Sequence, residues 1–262
     1  MNPRRAFDGT MQRVDRLLKL YDLLFNRRRR GTRRDWATRF KTLMHWPQRE
    51  AIYRVDGAGA VLVLRQSSGL TASQFFHDDL SELLRAALVT SVAALDRYCH
   101  EVLLSRVIRR VHRAERNWPP ELKKVTVPLS VAKAAIALGR RRRGPGGRIR
   151  PRPMNVIRHG LQEQFHRNLT LQGPDDIARA LSMIGVTELW TRCGACLAER
   201  PEQIKRRLNT IVARRNRIVH EGDIGRLRRG GAVNLIPIDP QQVRDDVAWL
   251  RGLVTAIDGL LP

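Results

Sequence analysis

Near the end of this 262-residue chain, the run Arg215-Asn216-Arg217-Ile218-Val219-His220 gathers three side chains that can act on a phosphodiester. A guanidinium grips phosphate oxygens through paired N–H donors and offsets charge developing on them. An imidazole, with an ordinary pKa of about 6.5, moves protons at neutral pH. A carboxamide can orient either group. RNA supplies its own nucleophile, the 2′-hydroxyl, so such a set requires no metal for cleavage. Asn216 and His220 are four apart and share a helix face. Arg215 and His220 are five apart, about 140° around an ideal helix, which the long arginine side chain can offset beside a fraying helix end. The plainer reading stays open here: an arginine-rich chain produces Arg-x-x-x-x-His by chance, and His220 could simply cap the last carbonyls of its helix.

The element that carries these residues is predicted to be a helix starting at Pro201-Glu202, with Ile204, Leu208, Ile211 and Ile218 on one stripe and Gly222 as its left-handed stop. Continuing the stripe by four from Ile211 lands on Arg215, where periodicity asks for a hydrophobe. A guanidinium in that position must find an anion, snorkel or face a groove.

The other helices follow from the same periodicity. Leu80, Leu84, Ala87, Leu88, Leu95, Tyr98 and Val102 predict a long helix over 79–113, about 50 Å at 1.5 Å per residue, with Asp79 and Glu82 as a capping box. Within it Asp96 and His100, four apart, are auxiliary candidates for the same cleft, or a local pair on a solvated face. Helices also follow Pro153 (Ile157, Leu161, Phe165, Leu169), Pro174 (Ile177, Ala180, Leu181, Ile184) and Asp239-Pro240 (Val243, Val247, Leu250, Val254, Ile257, Leu261). Proline and acids suit first turns, so Asp175, Asp176, Asp245 and Asp246 need no metal. A short helix is predicted over 10–25, and two β-like runs around Gly57 and Gly59 predict a hairpin at 51–64. The segment 121–138 reads as a shorter helix or irregular. The fold class is therefore all-α: residues 1–75 form a small mixed region of helix, basic run and hairpin, and residues 76–262 a helical domain.

Charge names the partner. Lys and Arg total 49 against 25 acids, for a formal net charge of +24. A polyanion relieves that self-repulsion, so nucleic acid is expected, although arginine-favouring codon usage accounts for part of the excess. Two arginine runs are expected to clamp RNA phosphates: Arg27, Arg28, Arg29 and Arg30, and then Arg140, Arg141, Arg142, Arg143, Arg148 and Arg150. The second run lies in an insertion at about 139–153 that holds seven arginines and no acid and cannot be core. His112, His159 and His166, in basic surroundings, are expected to face RNA or solvent. Aromatics make up only 5%, which favours backbone or shape recognition over base stacking.

Several classes are excluded or disfavoured. No apolar run reaches the roughly 18 residues of a membrane span, and Met1-Asn2-Pro3-Arg4-Arg5 does not lead into a signal-like apolar stretch. Three cysteines suit a reducing cytosol, and a cytoplasmic location is expected. Cys193 and Cys196 form a CxxC with no second pair, so they read as a buried structural pair, and no metal or other cofactor is expected. There is no phosphate-binding G-x-x-x-x-G-K-[ST] loop and no H-E-x-x-H.

The stretch Ile211-Val212-Ala213-Arg214-Arg215-Asn216-Arg217-Ile218-Val219-His220-Glu221-Gly222-Asp223 resembles the signature segment of the HEPN superfamily. The segment 88–101 is similar to the first long helix of a prokaryotic, RiboL-PSP-HEPN-like branch, and the run from Pro174 to Leu181 fits that branch too. The resemblance covers roughly 79–262 and leaves residues 1–75 unexplained. It implies an all-α core of four or five helices, a homodimer in which two Arg…His motifs face each other, and, in many members, metal-independent endoribonuclease activity as a toxin or antiviral effector. By this likeness Arg215 would hold the scissile phosphate, His220 would serve as general acid or base, and Asn216 would position them. Arg214 is the ambiguous neighbour; Arg215 is preferred because a polar residue directly follows the arginine in the family pattern. The products would be a 2′,3′-cyclic phosphate and a 5′-hydroxyl. A neutralising or activating protein partner is expected of such an enzyme. The alternatives are a non-catalytic HEPN-like module that binds RNA or assembles, and an unrelated basic nucleic-acid-binding protein.

Overall fold

Proline sets the punctuation of this chain: six of the ten α-helices among the described residues begin on one, at Pro3, Pro120, Pro153, Pro174, Pro201 and Pro240. A proline in the first turn gives up an N–H that would have no partner there, and its fixed φ already matches a helix. The computed structural model describes residues 2–25, 28–29, 32–56, 59–69, 78–113, 117–140, 153–225 and 235–261. In chain order these form α1 (Pro3–Phe25), β1 (Arg28–Arg29), α2 (Arg34–Leu43), β2 (Ile52–Asp56), β3 (Val61–Arg65), α3 (Asp78–His112), α4 (Pro120–Lys123), α5 (Leu129–Arg140), α6 (Pro153–Asn168), α7 (Pro174–Ser182), α8 (Leu189–Leu197), α9 (Pro201–Glu221) and α10 (Pro240–Leu260). The fold is all-α apart from one small antiparallel sheet, as the periodicity indicated.

The chain divides into two compact units. The first comprises Met1–Thr10, Ser91–Arg214 and Ala248–Pro262; the second comprises Met11–Thr90 and Arg215–Val247. The division falls within α1, α3, α9 and α10. In the first unit the buried stripes belong to α3 (Leu95, Tyr98, Val102), α6 (Leu161, Phe165), α7 (Ile177, Leu181), α9 (Ile204, Leu208, Ile211) and α10 (Leu250, Leu253). The start of α1 joins them, since Phe7 is buried and meets Tyr98 edge-on at 5.9 Å. That contact explains why α1 begins at Pro3 and not near residue 10.

In the second unit, β2 and β3 form the expected hairpin, with Tyr53 opposite Leu64 and Val55 opposite Leu62. Two differences from expectation appear here. The basic run supplies a third strand, β1, which pairs Arg28 with Asp56 and Arg29 with Val55. A short helix, α2, follows it. Trp36 and Phe40 stack at 5.0 Å along α2, and the Arg54 and Arg65 guanidiniums lie over Trp36 and Trp46 at 4.7 and 5.2 Å. The arginine-rich composition of the segment conceals this aromatic spacing.

The α8–α9 corner fixes where the motif-bearing helix starts. Gly194 is buried, and a Cβ there would lie 2.5 Å from the Glu199 carbonyl oxygen. Glu199 N–H donates to the Gly194 carbonyl at 3.2 Å, closing the turn. The Trp249 indole N–H on α10 then donates to the Glu199 carboxylate at 3.0 Å, and Arg207 of α9 sits over the Trp249 ring at 5.1 Å. The two cysteines beside Gly194 correct the expectation of a buried pair: Cys193 is buried, but Cys196 is exposed, three residues on along the helix. Burial, and secondarily Cys196, pushes the Cys193 thiol up to about 11. Replacing Gly194 with alanine forces a side chain against a backbone oxygen, so Gly194→Ala is expected to cost about 1–3 kcal/mol. Urea denaturation checks this, and an unchanged midpoint would show that the corner yields freely.

Candidate functional site

Pro201 and Glu202 open α9, with the acid beside the positive end of the helix dipole. Ile204, Leu208 and Ile211 are buried, so this stripe fixes the rotation of α9 about its own axis. One turn after Ile211 the burial ends. Arg215 and Ile218 are half-buried, while Asn216 and His220 are exposed. Arg215 Nη1 donates to Asn216 Oδ1 at 2.9 Å, so the carboxamide holds the guanidinium. Arg215 Nε is withdrawn from solvent and has no hydrogen-bond acceptor among the described residues. A buried donor without an acceptor costs about 1–3 kcal/mol, more when charged. An oxyanion at this guanidinium would remove that cost.

A second set of residues fixes the end of α9. Gly222 (φ 62°) and Asp223 (φ 56°) both adopt the left-handed conformation that stops the helix, and Asp223 N–H donates to the Arg217 carbonyl at 3.2 Å. The Asp223 side chain is fully buried and accepts from Arg85 Nε of α3 at 2.8 Å, with Arg85 itself only 4% exposed. Arg85 Nη2 donates to the Ile236 carbonyl at 2.8 Å, and its Nη1 reaches Ser81 and, at 3.2 Å, Glu82. Ile236 N–H donates to the Asp223 carbonyl at 2.8 Å, and Ile224 bridges Leu235. One guanidinium therefore holds both the segment leaving α9 and the segment leading to α10. α3 begins at Asp78, the side chain of Asp79 expected to cap it lies outside the described residues, and Glu82 pairs with Arg85. Sequence reasoning missed the Arg85–Asp223 pair. The available signals were an acid directly after the glycine stop and an arginine beside Leu84 in the apolar stripe.

Asp96 and His100 belong to the other unit. Asp96 Oδ1 accepts the Leu171 N–H at 2.7 Å and lies 3.7 Å from His100 Nε2. His100 is 4% exposed and its ring stacks on His166 at 4.5 Å. Burial pushes the His100 imidazole below its ordinary value; Asp96 opposes that fall and His166 adds to it. The structure thus groups Arg215 with Asn216, and Asp96 with His100. His159 and His166 are exposed.

Of the arginine runs, Arg28 and Arg29 form β1 and Arg140 ends α5. Arg27, Arg30, Arg141, Arg142, Arg143, Arg148 and Arg150 lie outside the described residues. Among the described residues no group of three or more His, Cys, Asp or Glu side chains could hold a metal ion, and no helix is long and apolar enough to cross a membrane.

The sequence model of a family described as RiboL-PSP-HEPN matches residues 63–261, well over half of the chain. Comparisons with curated proteins and with solved structures give no match.

The buried pair has a measurable signature. Removing one partner strands a charge in the interior, so Arg85→Leu is expected to cost about 3–5 kcal/mol, with Arg85→Leu/Asp223→Asn recovering most of it. Denaturant midpoints of the single and double variants decide the matter. Losses that simply add would mean the two groups act independently.

Proposed function

We propose that this chain, which belongs to the RiboL-PSP-HEPN family, is a metal-independent endoribonuclease with its active site at Arg215, Asn216 and His220. The observation that carries this reading is the state of Arg215. Its guanidinium occupies a core-stripe position at the emergent end of α9, is held by Asn216, and keeps a buried Nε with no acceptor among the described residues. A scissile phosphate supplies that acceptor, and fixed donors of this kind stabilise charge on the phosphoryl oxygens as the transition state forms.

In the proposed reaction the 2′-oxygen of one nucleotide attacks its own 3′-phosphorus. The 2′-O–P bond forms and the P–O5′ bond breaks, leaving a 2′,3′-cyclic phosphate and a 5′-hydroxyl. A general base takes the 2′-hydroxyl proton and a general acid delivers one to the departing 5′-oxygen. His220 performs one of these transfers. In a homodimer with facing motifs, the partner's copy of the same histidine performs the other. Asn216 keeps the guanidinium aimed, and Asp96 with His100 acts as a positioning pair that holds the Leu171 backbone. The arginine runs hold the RNA backbone. Such an activity, as a toxin or antiviral effector, calls for a neutralising or activating protein partner.

The test is cleavage of end-labelled total RNA in EDTA by the wild type, His220→Ala and Arg215→Ala, each shown to be folded by circular dichroism. EDTA-resistant cleavage with cyclic-phosphate ends is expected, reduced about 10²–10⁴-fold in His220→Ala and comparably in Arg215→Ala. A wild type that binds RNA without cutting it, with both variants binding alike, would replace this reading with a non-catalytic RNA-binding or assembly module.

A further inference from the structure

In the second unit β3 is the outer strand of its sheet, whose order is β1-β2-β3. The register of β2 and β3 sets Ile52 opposite Arg65 and Arg54 opposite Val63. One step beyond the strand ends, Gln66 N–H donates to the Ala51 carbonyl at 2.9 Å. In an antiparallel ladder, opposed residues alternate between pairs that exchange hydrogen bonds and pairs that do not. Tyr53–Leu64 and Val55–Leu62 are therefore the bonded pairs. Val61, Val63 and Arg65 turn their N–H and C=O groups away from β2. The Arg65 carbonyl accepts from Ser68 Oγ at 2.6 Å. Among the described residues no hydrogen bond reaches the outward groups of Val61 or Val63. Val61 is 54% exposed, and Leu62 and Val63 are half-buried.

An edge of this kind templates a further strand, and proteins blunt it with charge, proline, a bulge or a covering segment. Val61-Leu62-Val63-Leu64 holds no charge and no proline. Its surroundings in sequence are strongly basic, with ten Lys and Arg against three Asp and Glu from Arg28 to Gly69. Of those acids, Glu50 is already engaged by Arg65 and Asp56 by Arg54. A second copy of the chain would bring the same positive charge to the edge and be repelled. RNA matches the charge but not the edge, since phosphates accept from N–H groups and leave the alternating carbonyls without donors. An extended peptide satisfies both backbone groups, and acidic residues on it match the charge.

We propose that the β3 edge takes up an extended aliphatic segment with acidic flanks, supplied by a protein partner, as a further antiparallel strand. This contact does not depend on the catalytic reading of Arg215 and His220.

Fluorescence anisotropy of the full chain with a labelled peptide of alternating valine and threonine, flanked by glutamates, tests the proposal. Saturable binding is expected, weakened about tenfold or more when the flanks are lysine. Val63→Pro removes an N–H that points away from β2, a place where edge strands tolerate proline. It should therefore keep the hairpin and lose about tenfold or more in peptide affinity. Val61→Pro, at the exposed first residue of β3, should act alike and keeps the test valid should Val63→Pro fail to fold. Leu43→Ala, at an exposed position on α2, should leave binding unchanged. No detectable peptide binding, or binding equal in Val61→Pro, Leu43→Ala and wild type, overturns the proposal. Binding that survives in Val61→Pro and is displaced by a 2′-O-methyl RNA would assign the peptide to a surface that holds RNA, and also overturns it. Wild-type self-association in sedimentation that Val61→Pro abolishes would give the edge to a second copy and overturn it too.

Discussion

The carboxylate of Asp223 and the guanidinium of Arg85 sit 2.8 Å apart with almost no access to water, and the end of α9 depends on them. Taking two ions out of water costs several kcal/mol each, offset only when the pair is close and its remaining donors are satisfied. Arg85 meets that condition through Ser81, Glu82 and the Ile236 carbonyl. Such a pair adds little net stability compared with a hydrophobic substitute, but it tolerates only one arrangement. That arrangement sets where α9 stops, one residue after His220, and where the chain returns toward α10.

The same logic of constrained charge applies to Arg215. Along α9 the apolar stripe runs through Ile204, Leu208 and Ile211 and then presents a guanidinium. Asn216 binds one of its nitrogens and the backbone stop holds the helix end, so the side chain gives up conformational freedom before any substrate arrives. In the proposed reaction that restraint would help, because donors already in place need no reorganisation when charge develops on phosphate. Under the proposed function a net charge of +24 would draw the polyanion near, and the fixed guanidinium would decide which phosphate is engaged.

Much of this was legible in the sequence. The stripes of α3, α7, α9 and α10, with proline starts and the Gly222 stop, were readable because long amphipathic helices repeat one signal many times. The hairpin was readable from two β-like runs around a glycine turn. Short elements were not. α2 hides Trp36 and Phe40 among arginines, β1 is two arginines long, and α8 is nine residues around a CxxC that draws attention to its sulfurs. The start of α1 was missed because Phe7 alone announces it. At the site, the residues within one helix could be placed by spacing. Arg85 and Asp223 are 138 residues apart, and no periodicity relates them. A buried charge pair leaves only a polar interruption in an apolar pattern, which identifies neither partner.

The account stands on RNA acting through its own 2′-hydroxyl at Arg215 and His220. The most direct measurement is cleavage of a short RNA at one mapped site, with and without a single 2′-deoxy substitution at the nucleotide on the 5′ side of that site. The account predicts that the deoxy substrate binds with unchanged affinity and is not cut at that bond. Cleavage of the deoxy substrate at the same bond and rate would contradict it, since the nucleophile would then have to be water.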